Sequence, residues 1–329
     1  MITRRIAATR VFLAAAVIGA ARQISTQTPA VAQNQVWPSR PVKIIVPVAA
    51  GTATDLTARV YAEKLGAYWG QPVIVENRPG ADGLIAIGGF VQSRDDHSLL
   101  FSFSTAVSLN PLIHAKLPYD PNVDLVPLAT TTEVIFAIAA SASLNVSTLG
   151  EFVQAVKAAP GKYNWAAAPG LPRFVFEGFR KGASLDIAYV SYNQTGSAAI
   201  DLAEGRIQAA IAAISTIKPA IDSGKARFLA VTSNDRAAML PDVQSAIEAG
   251  FPDLVVPALG CVFGQKDLAQ AARDRIFRDV DNVSQEKDVI ERFGKIGQAV
   301  RRTTTAELAQ LLADQKVQLA PIAAALGGK

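Results

Sequence analysis

The alternation of short apolar runs with helical stretches constrains the fold more than any other feature of this 329-residue chain. Short runs rich in β-branched and aromatic residues are typical of strands, and longer amphipathic stretches are typical of helices. Strands that alternate with helices form sheets with helices on their faces, so the sequence predicts an α/β fold. The predicted strands are 42–47, 72–76, 98–103, 134–140, 163–167, 187–191, 207–213 and 227–232.

Several predicted strands end in small or hydroxyl-bearing residues and lead directly into a helix. In open α/β sheets, ligands bind beyond the carboxyl ends of the strands, where such loops meet. We therefore predict a ligand cleft to which two domains contribute. The loops are Ala49–Asp55, Ser104–Ser108, Ala166–Pro172, Tyr192–Ser197 and Ala212–Thr216.

The first of these loops, residues 48–55, is suited to an anion. The N-terminus of the helix that follows offers unpaired N–H groups and the positive end of a dipole. Small residues before the helix let a ligand approach the backbone closely. The alternative is an ordinary turn in which Thr54 or Asp55 caps the helix.

Side chains that can cap helices mark several other helix starts. Thr148 and Thr304 are each followed three residues later by a glutamate, which is the spacing of a capping box. Ser215 is expected to cap the helix that follows it.

The formal net charge of +4 lies entirely in the first 32 residues, which hold four arginines and no acidic residue. Without those four arginines, 28 basic residues remain against 28 acidic ones. The rest of the chain is therefore neutral, and net charge gives no support to nucleic-acid binding through a basic face.

Residues 1–32 have the pattern of an export signal. Arg4, Arg5 and Arg10 form a positive start, residues 11–21 are apolar, and residues 30–32 read Ala-Val-Ala, a small-residue cleavage site. We predict a signal peptide over 1–32 and a soluble periplasmic protein that begins near Gln33. An uncleaved membrane anchor is the alternative.

Residue patterns for catalysis, metal binding or cofactor binding do not stand out. His97 and His114 lack ligand partners at metal-binding spacing, and Cys261 lies in an apolar run typical of a core. The loop at 51–57 lacks the lysine of a P-loop, and the glycines near 80–89 do not match a dinucleotide fingerprint. We therefore expect a protein that binds a molecule without transforming it, with no metal and no cofactor.

Five sequence motifs, distributed over most of the chain, occur here in the same order as in one known protein family. They are WPSRPVKIIVP at 37–47, GQPVIVENRPGADG at 70–83, LPYDPNVDLVPLA at 117–129, PGKYNWAA at 160–167 and LAVTSNDRAAMLPDVQSAIEAGFP at 229–252. Together they resemble the Bug-type extracytoplasmic solute receptors of tripartite tricarboxylate transporters.

The resemblance implies a type II periplasmic binding protein fold, in which two α/β domains close on a ligand in the cleft between them. We place one domain at 33–134 plus 236–329 and the other at 135–235. The implied function is a periplasmic receptor that captures a small carboxylate and presents it to the membrane subunits of the transporter. We expect the receptor to be a monomer.

The loops and the resemblance together give a set of expected ligand-binding residues. They are Ala50, Gly51, Thr52, Thr54, Asp55, Ser104, Thr105, Ala168, Pro169, Gly170, Tyr192, Asn193, Thr195 and Ala213.

This chain departs from the family pattern in both predicted domains. Thr52 stands where the family has a second glycine, the loop 167–172 is poor in side-chain donors, and Ala212-Ala213 replace a usual Asp-Asn pair. We expect a ligand with one carboxylate and a less polar distal part, because a second carboxylate would lack partners there. Arg173 is the residue that could supply one.

Two other functions are compatible with the same features. The chain could present its ligand to a membrane signalling protein instead of a transporter. An enzyme on the same fold would need a nucleophile or an acid–base pair, for which Cys261 and His114 are the residues to test.

Overall fold

The computed structural model describes residues 37–168, 170–192 and 195–327. The predicted signal peptide and the predicted site residues Pro169 and Asn193 lie outside these ranges. Across the described ranges, no helix is both long enough and apolar enough to cross a membrane.

The described strands form two mixed sheets of similar design. Sheet A has the order β11-β4-β10-β3-β1-β2, and sheet B has the order β7-β6-β8-β5-β9 when the strands are numbered along the chain. The strands are β1 (Val42–Val46), β2 (Val73–Asn77), β3 (Ser98–Phe103), β4 (Val126–Val134), β5 (Phe136–Ser141), β6 (Asn164–Ala167), β7 (Ala188–Tyr189), β8 (Ala209–Ala213), β9 (Ala226–Val231), β10 (Ala258–Gly264) and β11 (Ala299–Val300). In each sheet one strand, β10 or β5, runs antiparallel between neighbours that are parallel to each other.

Every predicted strand coincides with an observed one, but the prediction missed β4, β10 and β11. The run predicted at 134–140 overlaps β5 and starts at the last residue of β4. β4 contains a proline and three consecutive threonines, and β10 contains two glycines, so neither has the continuous apolar pattern of a buried strand.

Helices cover both faces of each sheet. They are α1 (Ala53–Trp69), α2 (Leu84–Ser93), α3 (Thr105–Ser108), α4 (Asn110–Ile113), α5 (Leu149–Ala158), α6 (Leu171–Gly182), α7 (Thr195–Ala203), α8 (Ile214–Asp222), α9 (Gln270–Ser284), α10 (Lys287–Lys295) and α11 (Thr305–Ala325), with single 3₁₀ turns at Ala81–Gly83, Ala142–Leu144 and Pro252–Leu254.

Two of the predicted helix caps are observed and one is wrong. Thr304 and Glu307 form a complete capping box at α11. Thr148 caps α5 by accepting from the N–H of Glu151. Ser215, however, lies inside α8, whose N-cap is Ala213.

Side-chain alternation along the strands divides each sheet into two buried faces. In β1, Ile44 packs with α1, α9 and α10, whereas Ile45 packs on the opposite face with α2 and part of α11. In β8, Ile211 packs with α5 and α6, whereas Ala210 packs with α7 and α8. Because both faces of the sheets are covered, apolar side chains of the central strands are buried on both faces.

The chain passes from sheet A to sheet B between β4 and β5, which are separated only by Ile135. We call sheet A with its covering helices the first lobe, and sheet B with its covering helices the second lobe. The return follows β9, but Ala246, Leu254 and Val256 still pack with the core of sheet B. Much of the stretch 236–257, assigned to the first domain by sequence, therefore contacts the second lobe.

Helix α11 packs against both lobes. Leu308 and Leu312 in its first half belong to a core cluster of sheet A, and Leu319 belongs to a core cluster of sheet B. The helix therefore ties the two lobes together on the side of the molecule where α6 lies.

Candidate functional site

A cavity of about 1130 Å³ lies between the two sheets and is lined by residues of both lobes. Much of its wall comes from the loops after β1, β3, β6, β7 and β8, which all lie at the carboxyl ends of strands. This is the position at which ligands bind open α/β sheets.

The predicted site residues fall into three groups. Those that line the cavity are Thr52, Thr54, Thr105, Ala168, Gly170, Tyr192 and Ala213. Those outside its lining are Ala50, Gly51, Asp55 and Ser104. Pro169 and Asn193 are not described, and for Thr195 only its place as the first residue of α7 is described.

Asp55 holds the loop after β1 in place and does not face the cavity. Its carboxylate, only 1% exposed, accepts hydrogen bonds from the Gly51 N–H at 2.8 Å, Asn77 Nδ2 at 2.8 Å and Arg59 Nε at 3.0 Å. Burial alone would raise the pKa of Asp55, but these three donors hold the pKa below its ordinary value. Gly51 has a φ of +83°, which a residue without a Cβ adopts readily.

Thr52 is the N-cap of α1. Its Oγ1 accepts from the Asp55 N–H at 3.4 Å and donates to the Ala49 carbonyl at 2.9 Å. The first N–H groups of an α-helix have no intrahelical partner, and Ala53 and Thr54 in this first turn line the cavity. The N-terminus of α1 therefore presents backbone donors to the cavity.

Two further polar side chains of the first lobe lie at or near this wall. Gln298, which sequence reasoning missed, lines the cavity, and its Oε1 accepts from Thr57 Oγ1 at 2.6 Å. Ser104 is fully buried, and its Oγ has no hydrogen-bond partner among the described residues. Gln298 lies far along the chain from the loop after β1. No motif or regular spacing in the sequence could therefore have indicated that the two meet.

The second lobe presents two more helix N-termini. Gly170 is the N-cap of α6, and Ala213 is the N-cap of α8. Neither cap residue forms a side-chain cap hydrogen bond, so among the described residues the first N–H groups of both helices have no side-chain partner. Ser215 in the first turn of α8 also lines the cavity.

Arg173 in α6 is a cavity-lining cation. Its guanidinium carbon lies 4.3 Å from the centroid of the Tyr189 ring, a distance typical of a cation–π contact. No carboxylate lies within ion-pair distance of Arg173 in the described part of the chain. The sequence predicted a ligand with a single carboxylate and named Arg173 as a possible partner for a second one. The structure places this positive charge in the cavity wall of the second lobe.

Tyr192 lines the cavity, and its hydroxyl already forms a hydrogen bond. The hydroxyl donates to Asp201 Oδ2 at 2.7 Å. Burial and the neighbouring Asp201 carboxylate raise the pKa of Tyr192 to about 12. Its proton is therefore committed to Asp201.

A cluster of Asp95, Asp96 and His97 lies on the first lobe, with potential ligand atoms within 4.8 Å of one another. Arg40 pairs with both carboxylates, at 2.7 and 2.9 Å. His97 Nδ1 lies 2.7 Å from Asp96 Oδ1, and its Nε2 accepts from the Ser39 N–H at 3.0 Å. Both ring nitrogens of His97 therefore already have polar partners within the protein. These contacts explain the cluster as part of a structural turn.

Comparisons with known proteins agree on one family. A family profile described as "Tripartite tricarboxylate transporter family receptor" matches residues 57–327. The protein BugT of Bordetella pertussis is 30% identical over 331 residues, which cover 99% of this chain and 98% of BugT.

Two solved structures show the same fold. MatC from Rhodopseudomonas palustris, solved with bound malate, is 26% identical, with a TM-score of 0.74 and coverage of 87% of this chain and 99% of MatC. The periplasmic binding protein BugD is 24% identical, with a TM-score of 0.74 and coverage of 88% and 99%. These similarities confirm the predicted α/β fold of the periplasmic binding type.

Proposed function

Because the chain belongs to the family of tripartite tricarboxylate transporter receptors, we propose that it captures a small carboxylate in the central cavity for the membrane subunits of such a transporter. The malate bound to MatC supports a ligand of this chemical class. We place the protein in the periplasm, with residues 1–32 as its export signal, because these residues combine a basic start, an apolar run and a small-residue cleavage site.

The observation that carries this proposal is the convergence of positive potential on one cavity. The N-termini of α1, α6 and α8 all reach the cavity wall, and Arg173 adds a full positive charge. Backbone N–H groups and the positive end of a helix dipole favour an anion. A guanidinium adds charge-assisted, bidentate hydrogen bonds to a carboxylate.

The chemistry of the cavity supports binding and gives no support to catalysis. Cys261 is fully buried, and burial raises the pKa of its thiol. Within the described ranges, neither histidine lines the cavity. The two groups that sequence analysis nominated for an enzyme, Cys261 and His114, therefore do not line the cavity.

Calorimetric titration with matched carboxylates and amides tests the proposal. Dicarboxylates of several chain lengths, from succinate to adipate, should bind, and the corresponding diamides should not. Arg173→Gln should weaken carboxylate binding about 10- to 100-fold, the range expected for a charge-assisted hydrogen bond. Lys287→Gln, which removes a charge from a side chain that is 92% exposed, is the control and should bind as the wild type does. Equal affinity for carboxylates and diamides would contradict the proposal.

A further inference from the structure

In the described part of the chain, three segments connect the two lobes. Two of them are the passage from β4 to β5 and the return between β9 and β10. The third is α11, in which Leu312 belongs to a core cluster of sheet A and Leu319 to a core cluster of sheet B. A motion of one lobe relative to the other must deform all three connections. A helix resists such deformation most, because a backbone hydrogen bond holds each of its turns.

Side-chain contacts limit the crossing between the lobes to a short part of α11. Gln315 is attached to the first lobe, because its Oε1 accepts from Ser108 Oγ in α3 at 2.6 Å. Ile322 is attached to the second lobe, because it packs against Gly178 of α6. Any bending of α11 that accompanies lobe motion must therefore occur between residues 315 and 322.

Pro321 removes a backbone hydrogen bond from this same part of α11. A proline has no N–H, so the carbonyl of Val317, four residues earlier, lacks its helical donor. Val317 is 75% exposed, and Pro321 is exposed as well. The missing bond thus lies on the solvent side of the helix. Interior prolines are among the few local causes of sharp helix kinks, so this turn is the least resistant to bending.

The lobes also touch each other beside the cavity. Gly297, between α10 and β11, and Ser215 in α8 both line the cavity. A Cβ on Gly297 would lie 3.0 Å from the Ser215 Cβ. When the lobes open, this contact separates, whereas α11 remains packed into both lobes at its two ends.

We propose that α11 is a hinge that bends within the turn Val317–Pro321 when the lobes open and close, and that Pro321 makes this bending easy. The inference goes beyond the proposed function and rests on it in one respect, namely that a receptor moves its lobes around its ligand. Its tests need no ligand, so their failure is distinguishable from failure of the carboxylate titration.

A reversible lock across the cleft tests whether α11 bends together with the lobes. Gly297→Cys combined with Ser215→Cys brings two Cβ atoms close enough for a disulfide, while Cys261 is buried and stays unpaired. Mass spectrometry follows hydrogen exchange of the amides in residues 316–323. Their exchange should slow several-fold when the disulfide forms and recover on reduction, because the lock stops the opening that exposes them. The reduced form of the same variant is the control for any effect of the substitutions themselves.

Pro321→Ala tests the joint itself. Alanine restores the N–H that the Val317 carbonyl lacks, so the helix should stiffen and the lobes should separate less. Spin labels on Lys157→Cys in α5 and Lys287→Cys in α10 report the distance between the lobes by pulsed electron paramagnetic resonance. Both lysines are exposed. The distance distribution should be narrower in Pro321→Ala than in the protein with Pro321.

Pro219→Ala is the matched control, because Pro219 also lies inside a helix and is exposed. Its helix, α8, packs into the core of sheet B alone, through Ile214, Ile217 and Ala220. The distance distribution in Pro219→Ala should therefore equal that of the wild type. Exchange at 316–323 that ignores the disulfide, or a distribution in Pro321→Ala as broad as in Pro219→Ala, would overturn the hinge and leave the receptor function intact.

Discussion

At the scale of single residues, Asp55 illustrates how a polar group near a ligand cavity can act without touching the cavity. Its carboxylate joins three parts of the first lobe: the loop through Gly51, the next strand through Asn77, and the following turn of α1 through Arg59. Sequence analysis left open whether this residue binds ligand or supports the helix. The geometry favours a positioning role, in which Asp55 fixes the loop whose N–H groups face the ligand.

We expect Asp55→Asn to destabilise the protein by about 1–3 kcal/mol at pH 7, because a neutral amide cannot accept from three donors as a carboxylate does and leaves buried donors unpaired. Urea-induced unfolding measures this change. Carboxylate affinity should fall as well, since the loop loses its anchor. Unchanged stability in Asp55→Asn would contradict the positioning role.

The pH dependence of the same variant gives a second measurement. The folded-state pKa of Asp55 is lowered, so its carboxylate contributes stability above the unfolded-state pKa, and this contribution is lost as the pH falls through the folded-state pKa. The stability difference between wild type and Asp55→Asn should therefore shrink when unfolding is followed from pH 7 towards pH 3. A constant difference over this range would exclude the carboxylate charge as its origin.

At the scale of elements, the site depends on how the helices begin. The Thr52 side chain accepts a hydrogen bond from the first turn of α1, whereas Ala213, the N-cap of α8, provides no side-chain cap. Sequence analysis assigned the cap to Ser215 because serine is a favoured N-cap residue, but the helix starts one residue earlier than that serine. The uncapped start leaves backbone donors of α8 available to the cavity.

Ala213→Ser should therefore have opposite effects on stability and binding. Ala213 has φ −55° and ψ 142°, a conformation close to that of observed N-cap residues, so a serine there can accept from the first turn. We expect the variant to gain about 1 kcal/mol of stability and to bind carboxylates more weakly, because its side chain occupies donors that the ligand would use. Thermal unfolding and calorimetric titration measure the two effects. Tighter binding would show that the new hydroxyl serves the ligand instead.

At the scale of the whole molecule, the contact between α6 and α11 joins the lobes. Gly178 of α6 lies so close to Ile322 of α11 that a Cβ on the glycine would be 2.8 Å from Ile322 Cγ2. Near the end of the same helices, Lys181 Nζ donates to the carbonyl of Ala325. The close approach of the two helices depends on the absence of a side chain at position 178.

Two substitutions in one helix separate this packing from helix propensity. Gly178→Ala should destabilise the protein by about 1–3 kcal/mol, because the added methyl group overpacks the contact with Ile322. Gly182→Ala places the same methyl group where, apart from the adjacent backbone of α6, no atom of the described residues lies within 4 Å, and it should be neutral or stabilising by up to about 1 kcal/mol. Chemical unfolding of both variants is the measurement. Stabilisation by both would show that α6 and α11 adjust without cost.

The sequence by itself determined the α/β class, eight of the strands and five of the loops that line the cavity. These features depend on local patterns: the two-residue period of a strand, the capping residues of helices and the small residues that follow strand ends. The motifs likewise identified the family, because they are contained in the linear sequence and need no structure to be recognised.

The tertiary structure decided which groups meet at the cavity. β4 and β10 were missed because proline, threonine and glycine residues interrupt their apolar patterns, and only pairing with other strands shows them to be part of the sheet. Gln298 and Arg173 line the same cavity as Thr52, although long stretches of chain separate them. Asp55 directly follows the cavity-lining Thr54 in the sequence. Its carboxylate nevertheless accepts hydrogen bonds from Gly51, Asn77 and Arg59. Local patterns fix where an element begins and ends, whereas the direction and partners of a side chain depend on how distant elements pack.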